Sequence, residues 1–237
     1  MVLAAGTGAR LRPLTDDLPK PMVSVNGRPM LDWTLRSLAR HGVREVVINT
    51  HHRADVITRF CGDGAKWRLH IQYSPEARLQ GTAGALRAWR TFFDQTFLVV
   101  YGDNLTTCSY PRLVETHRAH RADVTIALFW RPDTSQSGIA EVDSEGWVTR
   151  FVEKPRSAQV FSHWANAGVL VLEPALVDTI PADGAPDFGR DLLPRWIDER
   201  RRVLGYQMSA AERLWWIDTP RDLARVIGEL QDRGVHL

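Results

Sequence analysis

Short apolar runs alternate with helical stripes along the first half of this chain. Met1–Ala5 is a terse first strand leading into a glycine turn, and Met30–His41 predicts a helix with Leu31, Leu35 and Leu38 on one stripe. Gly42 then stands where a helix C-terminus favours glycine. Strands are expected over Val43–Asn49, Leu69–Ser74, Phe97–Tyr101 and Val124–Trp130. Helices are expected between them, over Ala54–Cys61, Thr82–Phe93 and Pro111–His120. This alternation is the mark of βαβ units and a largely parallel sheet.

The second half changes character. Ile139–Val142 and Trp147–Val152 flank Asp143-Ser144-Glu145-Gly146, a hairpin-type turn. Ala167–Leu172, Val203–Tyr206 and Trp215–Ile217 read as strands and Asp191–Asp198 as a helix. Pro220–Asp232 is a closing helix that carries Leu223, Val226, Ile227 and Leu230 at helical spacing. With no internal repeat, low-complexity tract or linker, the economical expectation is one compact α/β domain with an appended lobe.

Composition narrows the classes of partner. A formal charge of +2 over 237 residues gives no footing for nucleic acid or an anionic membrane surface. No apolar run approaches a membrane span, and no signal peptide is read at the N-terminus, so a cytoplasmic location is expected. Cys61 and Cys108 match no metal or redox spacing and read as small core residues. His117 and His120 lack a nearby third ligand, and the nine tryptophans do not interleave with basic residues as a stacking platform would.

The cations are unusual in kind. Three lysines stand against 27 arginines, and two of the three, Lys20 and Lys154, directly precede proline. Proline biases its predecessor toward extended backbone, so each lysine is held on a stiff segment that can aim a compact ammonium. A phosphate is the usual recipient.

Five motifs carry candidate chemistry, and the first four each have a structural alternative. Gly6-Thr7-Gly8-Ala9-Arg10 follows a strand, where glycines let backbone N–H groups wrap phosphate oxygens. It is neither the dinucleotide fingerprint, since Leu11 takes the third glycine position, nor a Walker A loop. A plain turn is the alternative; Arg10 and Lys20 nearby favour a cationic cradle. Asp103, just past Phe97–Tyr101, is placed to hold Mg²⁺ or to cap a turn with Asn104. Asp218 is the candidate second carboxylate, or the N-terminal cap of the closing helix. Glu153-Lys154-Pro155 ends a strand as either a sugar-and-phosphate pair or a surface ion pair, and Asn166-Ala167-Gly168 offers an amide suited to hydroxyls.

Leu3-Ala4-Ala5-Gly6-Thr7-Gly8-Ala9-Arg10-Leu11-Arg12-Pro13-Leu14-Thr15 and Pro19-Lys20-Pro21-Met22 together closely resemble the signature of the sugar-1-phosphate nucleotidyltransferases, the NDP-sugar pyrophosphorylases. The likeness continues through Gly81-Thr82-Ala83-Gly84, Gly102-Asp103, Glu153-Lys154-Pro155, Asn166-Ala167-Gly168 and Asp218-Thr219-Pro220. It implies a Rossmann-like mixed, mostly parallel sheet flanked by helices in three αβα layers. It further implies a single domain over 1–237, with residues 1–130 the nucleotide-binding half and 131–237 the sugar-binding half. Carried over by position, Ala4, Ala5, Gly6, Thr7, Gly8 and Arg10 would hold the NTP, and Lys20 would contact the reacting phosphates. Gly81 and Gln72 would meet the base, and Asp103 and Asp218 would ligate Mg²⁺. Glu153, Asn166 and the backbone at Gly138 would bind sugar hydroxyls, and Lys154 the sugar phosphate. Substrates would be an NTP and a sugar-1-phosphate, and family members are often homo-oligomers.

The chain departs from the family pattern in two places. It begins close to the loop, which implies either a short first strand or a start internal to it, and Asp218 abuts Thr219 where the family often has an intervening glycine. Gly81-Thr82-Ala83-Gly84 looks more like the guanylyl branch with mannose- or heptose-type phosphates than the thymidylyl branch. Uridylyl or adenylyl transfer to another sugar or cyclitol phosphate, and a silent NDP-sugar-binding regulator, stay open. Arg10, Lys20 and Asp103 are all present, which a silent form need not keep.

Overall fold

The computed structural model of the chain describes residues 1–232. In order these form β1 (Val2–Leu3), β2 (Ser24–Val25), β3 (Arg28–Pro29), α1 (Met30–Arg40), β4 (Glu45–Thr50), α2 (Ala54–Cys61), β5 (His70–Pro75) and α3 (Gly81–Gly84). There follow β6 (Phe97–Tyr101), β7 (Asn104–Thr106), α4 (Tyr110–His120), β8 (Val124–Trp130), β9 (Ile139–Val142) and β10 (Val148–Val152). The last elements are β11 (Trp164–Leu172), α5 (Leu193–Asp198), β12 (Val203–Gln207), β13 (Leu214–Trp216) and α6 (Pro220–Asp232). The expected fold class, a mixed, mostly parallel sheet flanked by helices, is the one formed. None of the described helices is long and apolar enough to cross a membrane.

The described residues form two compact units, neither of them contiguous in sequence. One compact unit takes 1–79, 101–107 and, as far as the described residues run, 214–232, and the other takes 80–100 and 108–213. The reason is a late return: β13 pairs with β7, so the C-terminal segment rejoins the first unit. Residues 233–237, the end of the expected second half, lie outside the described residues.

In the first unit β1, β4 and β5 run parallel, with Leu3 opposite Asn49 and Thr50 opposite Pro75. Val46, Val47 and Ile48 are buried, as a parallel strand covered on both faces requires. Leu31, Leu35 and Leu38 of α1 are buried on the expected stripe. The helix ends in a Schellman arrangement: Gly42 N–H donates to Ala39 O and Val43 N–H to Leu38 O, both at 3.1 Å, with Gly42 at φ +85°. A core cluster joins Leu11 of the glycine turn to Met30, Leu105, Trp215, Ile217, Val226 and Leu230. The turn is therefore anchored by α6 and by the β7–β13 ribbon.

In the second unit β11 is the hub, antiparallel to β6, β8 and β9, while β12 runs parallel to β8. The expected hairpin is β9–β10. His117 is a core residue, its ring nitrogens 2.8 Å from Thr125 Oγ1 and 3.0 Å from Glu173 Oε1. Both cysteines are buried and free. Two expectations change. The helix over Thr82–Phe93 is only α3 and a 3₁₀ turn at Arg87–Trp89, because Gly81 sits at φ +75° and the Thr82 hydroxyl is engaged elsewhere. The helix over Asp191–Asp198 opens earlier, as a π-turn over Phe188–Leu192 before α5.

Leu230 is 2% exposed in the cluster that anchors the glycine turn. Leu230→Ala should therefore destabilise the protein by about 2–4 kcal/mol in urea unfolding. A change within about 0.5 kcal/mol would show that α6 does not support that core.

Candidate active site

The glycine turn is shaped by what packs beneath it. The Ala4 N–H donates to Asn49 Oδ1 at 2.7 Å, tying the end of β1 to β4. Ala4 and Ala5 are buried, whereas Gly6 and Thr7 are exposed. Gly8 lies at φ +63°, and a Cβ there would stand 2.8 Å from Lys20 Cβ and 3.1 Å from Thr15 Cγ2. Glycine is required at that position for conformation and for space alike. The Thr15 hydroxyl donates to Gly8 O at 2.8 Å, and Arg10 rides on a 3₁₀ turn whose buried residue is Leu11.

Lys20 is the centre of the first unit's charge. Only 8% exposed, it places Nζ 2.8 Å from Asp103 Oδ2 and 2.8 Å from Asp218 Oδ1. Arg10 Nη2 lies 3.0 Å from the same Asp218 oxygen. Burial by itself lowers the pKa of the ammonium; Asp103 and then Asp218 override it and hold the pKa above the ordinary lysine value.

Ribbon register explains why two carboxylates so far apart in sequence converge. Trp216 of β13 stands opposite Asn104 of β7, so Asp103 and Asp218, just beyond that pair, share one end. Capping of α6 falls to Thr219 and Asp222 instead. Asp222 Oδ2 accepts from the Thr219 N–H and hydroxyl at 2.9 and 2.8 Å, and its own N–H donates to Thr219 Oγ1 at 3.2 Å. The Asp218 carboxylate is thereby left to the cations. Asp103 and Asp218 are hard oxygen donors around one point, a set that suits Mg²⁺. Among the described residues no group of three or more His, Cys, Asp and Glu side chains could hold a metal, so a cation here must complete its shell from phosphate and water.

The second unit assembles the other candidates. Glu153 reaches in between two glycines: a Cβ on Gly138 or on Gly189 would lie 2.4 Å from its Oε2. Burial pushes the Glu153 pKa up and Asp187 adds to it, against the opposing pull of Lys154 and Arg190. Lys154 is exposed at φ +46°, its N–H donating to Ser137 O at 3.2 Å. The Asn166 N–H donates to Gly138 O at 2.9 Å. Its side-chain Oδ1 accepts from the Gly168 N–H at 2.8 Å within the β11 bulge, so the amide offers a ligand its NH₂. Glycine is obligatory at 81, where a Cβ would run to 2.4 Å from Pro186 O. Gln72 sits half-buried in mid-β5 opposite Val47, three residues short of the strand's end.

Sequence reading passed over several residues. At the strand ends of the first unit, Asn49 Nδ2 donates to the buried Glu76 Oε1 at 2.8 Å. In the second unit, Asp187 Oδ2 accepts from the Thr82 hydroxyl at 2.8 Å, and Gly189 flanks Glu153. A polar residue closing the apolar run Val46–Ile48 was a readable signal for Asn49; a lone glycine before Arg190 was not.

A family model described as nucleotidyl transferase matches residues 1–229. A UTP–glucose-1-phosphate uridylyltransferase of Synechocystis is 34% identical over 212 residues, covering 84% of this chain and 55% of that protein. A mannose-1-phosphate guanylyltransferase of Mycobacterium tuberculosis is 33% identical over 242 residues, covering 99% and 65%. The chain thus spans between 55% and 65% of the length of these relatives. A solved structure from Bacillus anthracis, in complex with a sucrose, superposes with a TM-score of 0.85 over 100% of this chain and 95% of its own, at 23% identity, and has the same α/β fold.

Lys20→Met leaves two carboxylates without their shared cation, and should cost about 2–4 kcal/mol, tempered by the aspartates' partial exposure. The folded pKa is raised above the unfolded value of about 10.4. The contribution is therefore complete below pH 10.4 and is lost only as pH climbs through the folded value. Chemical denaturation should give the same penalty at pH 6 and pH 8.5; a penalty that vanished between them would contradict the pairing.

Proposed function

The chain belongs to the nucleotidyl transferase family, and on that premise we propose that it condenses an NTP with a sugar-1-phosphate to give an NDP-sugar and pyrophosphate. The observation that carries this reading is Lys20 Nζ set 2.8 Å from both Asp103 and Asp218, beside the Gly6–Arg10 turn. This group fits a polyphosphate that exchanges its own anionic oxygens for those of the aspartates.

A phosphate monoester has a second pKa near ~6 and is largely dianionic at neutral pH, so it attacks without a general base. One of its oxygens forms the new bond to the α-phosphorus; the bond from that phosphorus to the β-phosphate oxygen breaks, and pyrophosphate leaves with the electron pair. Two anions must be held together while charge grows on the leaving group. Gly6, Thr7, Gly8 and Arg10 hold the triphosphate, and Lys20 stabilises the developing charge. Asp103 and Asp218 would hold Mg²⁺, which when bound neutralises phosphate charge. Lys154 takes the sugar phosphate, while Glu153, the Asn166 amide and the Gly138 backbone take hydroxyls. Gly81 and Gln72 read the base.

The Gly81–Gly84 turn favours GTP with a mannose- or heptose-type phosphate, in keeping with the guanylyltransferase likeness across 99% of the chain. Uridylyl transfer to a glucose-type phosphate is the second reading, supported by the Synechocystis relative.

Incubation with Mg²⁺, GTP, UTP, dTTP or ATP, and mannose-1-phosphate or glucose-1-phosphate should release pyrophosphate with at least one pair; release with none would overturn the reading. Asp103→Asn should lower turnover at least about 100-fold with the melting temperature little changed, and undiminished turnover would refute its role. Lys154→Ala should raise KM for the sugar phosphate about 10- to 100-fold and leave KM for the NTP within about twofold. An equal rise in both would contradict the division of labour.

A further inference from the structure

Gly189 lies in the π-turn Phe188–Leu192, where its φ is outside the left-handed region. Nothing in that backbone demands glycine, and alanine is the better helix former. What alanine would meet is the Glu153 carboxylate, with Oε2 at 2.4 Å and Cδ at 3.1 Å, while the Phe151 ring stays at an ordinary 3.4 Å. Gly138 borders the same oxygen at 2.4 Å, but a Cβ there would also strike Phe151 Cζ at 2.4 Å. The two glycines therefore differ: at 138 a rigid ring must yield, at 189 only the far end of a flexible carboxylate.

The turn bearing Gly189 is pinned. Asp187 Oδ1 accepts from the Gly189 and Arg190 N–H groups at 2.9 Å each, and Oδ2 accepts from the Thr82 hydroxyl at 2.8 Å. The Phe188 N–H donates back to Thr82 Oγ1 at 2.9 Å, and the Asp187 N–H donates to Asp191 Oδ2 at 2.8 Å. Each bond fixes where the missing methyl would be.

We propose that Gly189 is a positioning residue for the sugar-binding set: the space left by its absent Cβ is the slot that orients the Glu153 carboxylate, and the Thr82–Asp187 hydrogen bond holds that slot in register. The inference rests on Glu153 as the acceptor of sugar hydroxyls. A residue at 189 larger than glycine turns that acceptor aside without disturbing the chain around it.

The test is a double-mutant cycle on Gly189→Ala and Glu153→Ala, read both in kinetics and in thermal unfolding. With mannose-1-phosphate or glucose-1-phosphate as probe, Gly189→Ala should lower kcat/KM for the sugar phosphate at least tenfold and leave KM for the NTP within twofold. In the Glu153→Ala background the same change should lower it less than twofold. Without substrate, Gly189→Ala should raise Tm more in the Glu153→Ala background than in the wild type, because the clash is gone. Thr82→Val should raise the sugar-phosphate KM and Thr82→Ser should restore it, which keeps the slot testable should Gly189→Ala fail to fold. An unchanged kcat/KM for the sugar phosphate in Gly189→Ala, or an equal loss in both backgrounds, would overturn the proposal. Those results in a wild type that turns over sink the slot alone; coupling in Tm beside a wild type without turnover sinks the sugar reading and the role proposed on it.

Discussion

A single buried ammonium holds together two carboxylates drawn from opposite halves of the sequence. Lys20 Nζ is 2.8 Å from both Asp103 and Asp218, and much of the first unit exists to set that geometry. Gly8 must lack a side chain because Lys20 Cβ fills the space. The β7–β13 ribbon must hold register because the aspartates flank its end. Helix α6 needs its own cap, Thr219 with Asp222, so that Asp218 is not consumed by it. A buried cation without these partners would hold its proton less firmly; two neighbouring carboxylates without the cation would repel. The arrangement is neutralised by its own members, and on the proposed function an anionic ligand and a divalent cation would supply the same charges from outside.

The second unit works by shape more than by charge. Glu153 is confined by Gly138 and Gly189, and its pKa is raised by burial and by Asp187. Such a carboxylate is poorly hydrated and strongly inclined to accept a hydroxyl proton in a hydrogen bond. Lys154 follows it directly in a left-handed backbone conformation, which throws consecutive side chains in different directions. On the proposed function, a sugar phosphate would present both groups at once to these adjacent residues.

Local periodicity made many elements readable: α2, β6, β8 and α6 keep the bounds that their apolar spacing predicts. The helix expected over Thr82–Phe93 failed because a long-range bond from Thr82 to Asp187 and the glycine at 81 outweigh helical propensity there. Lys20, Arg10, Asp103 and Asp218 were legible as chemistry, and the structure brings these four together. Their mutual distances were not legible, since the pairing of residues 104–106 with 214–216 leaves no trace in either segment alone. Asp218 read nearly as well as a helix cap until the hydrogen bonds of Asp222 assigned that task. Gly189 was invisible, because a steric vacancy has no signature until the carboxylate that fills it is located.

The most direct test of the charge-exchange account is a crystal structure of the protein with Mg²⁺ and a non-hydrolysable NTP. It should show the metal between Asp103 and Asp218, and Lys20 Nζ withdrawn from both carboxylates onto phosphate oxygens beside the Gly6–Arg10 turn. A triphosphate bound elsewhere, with Lys20 still clamped between the two aspartates, would contradict it.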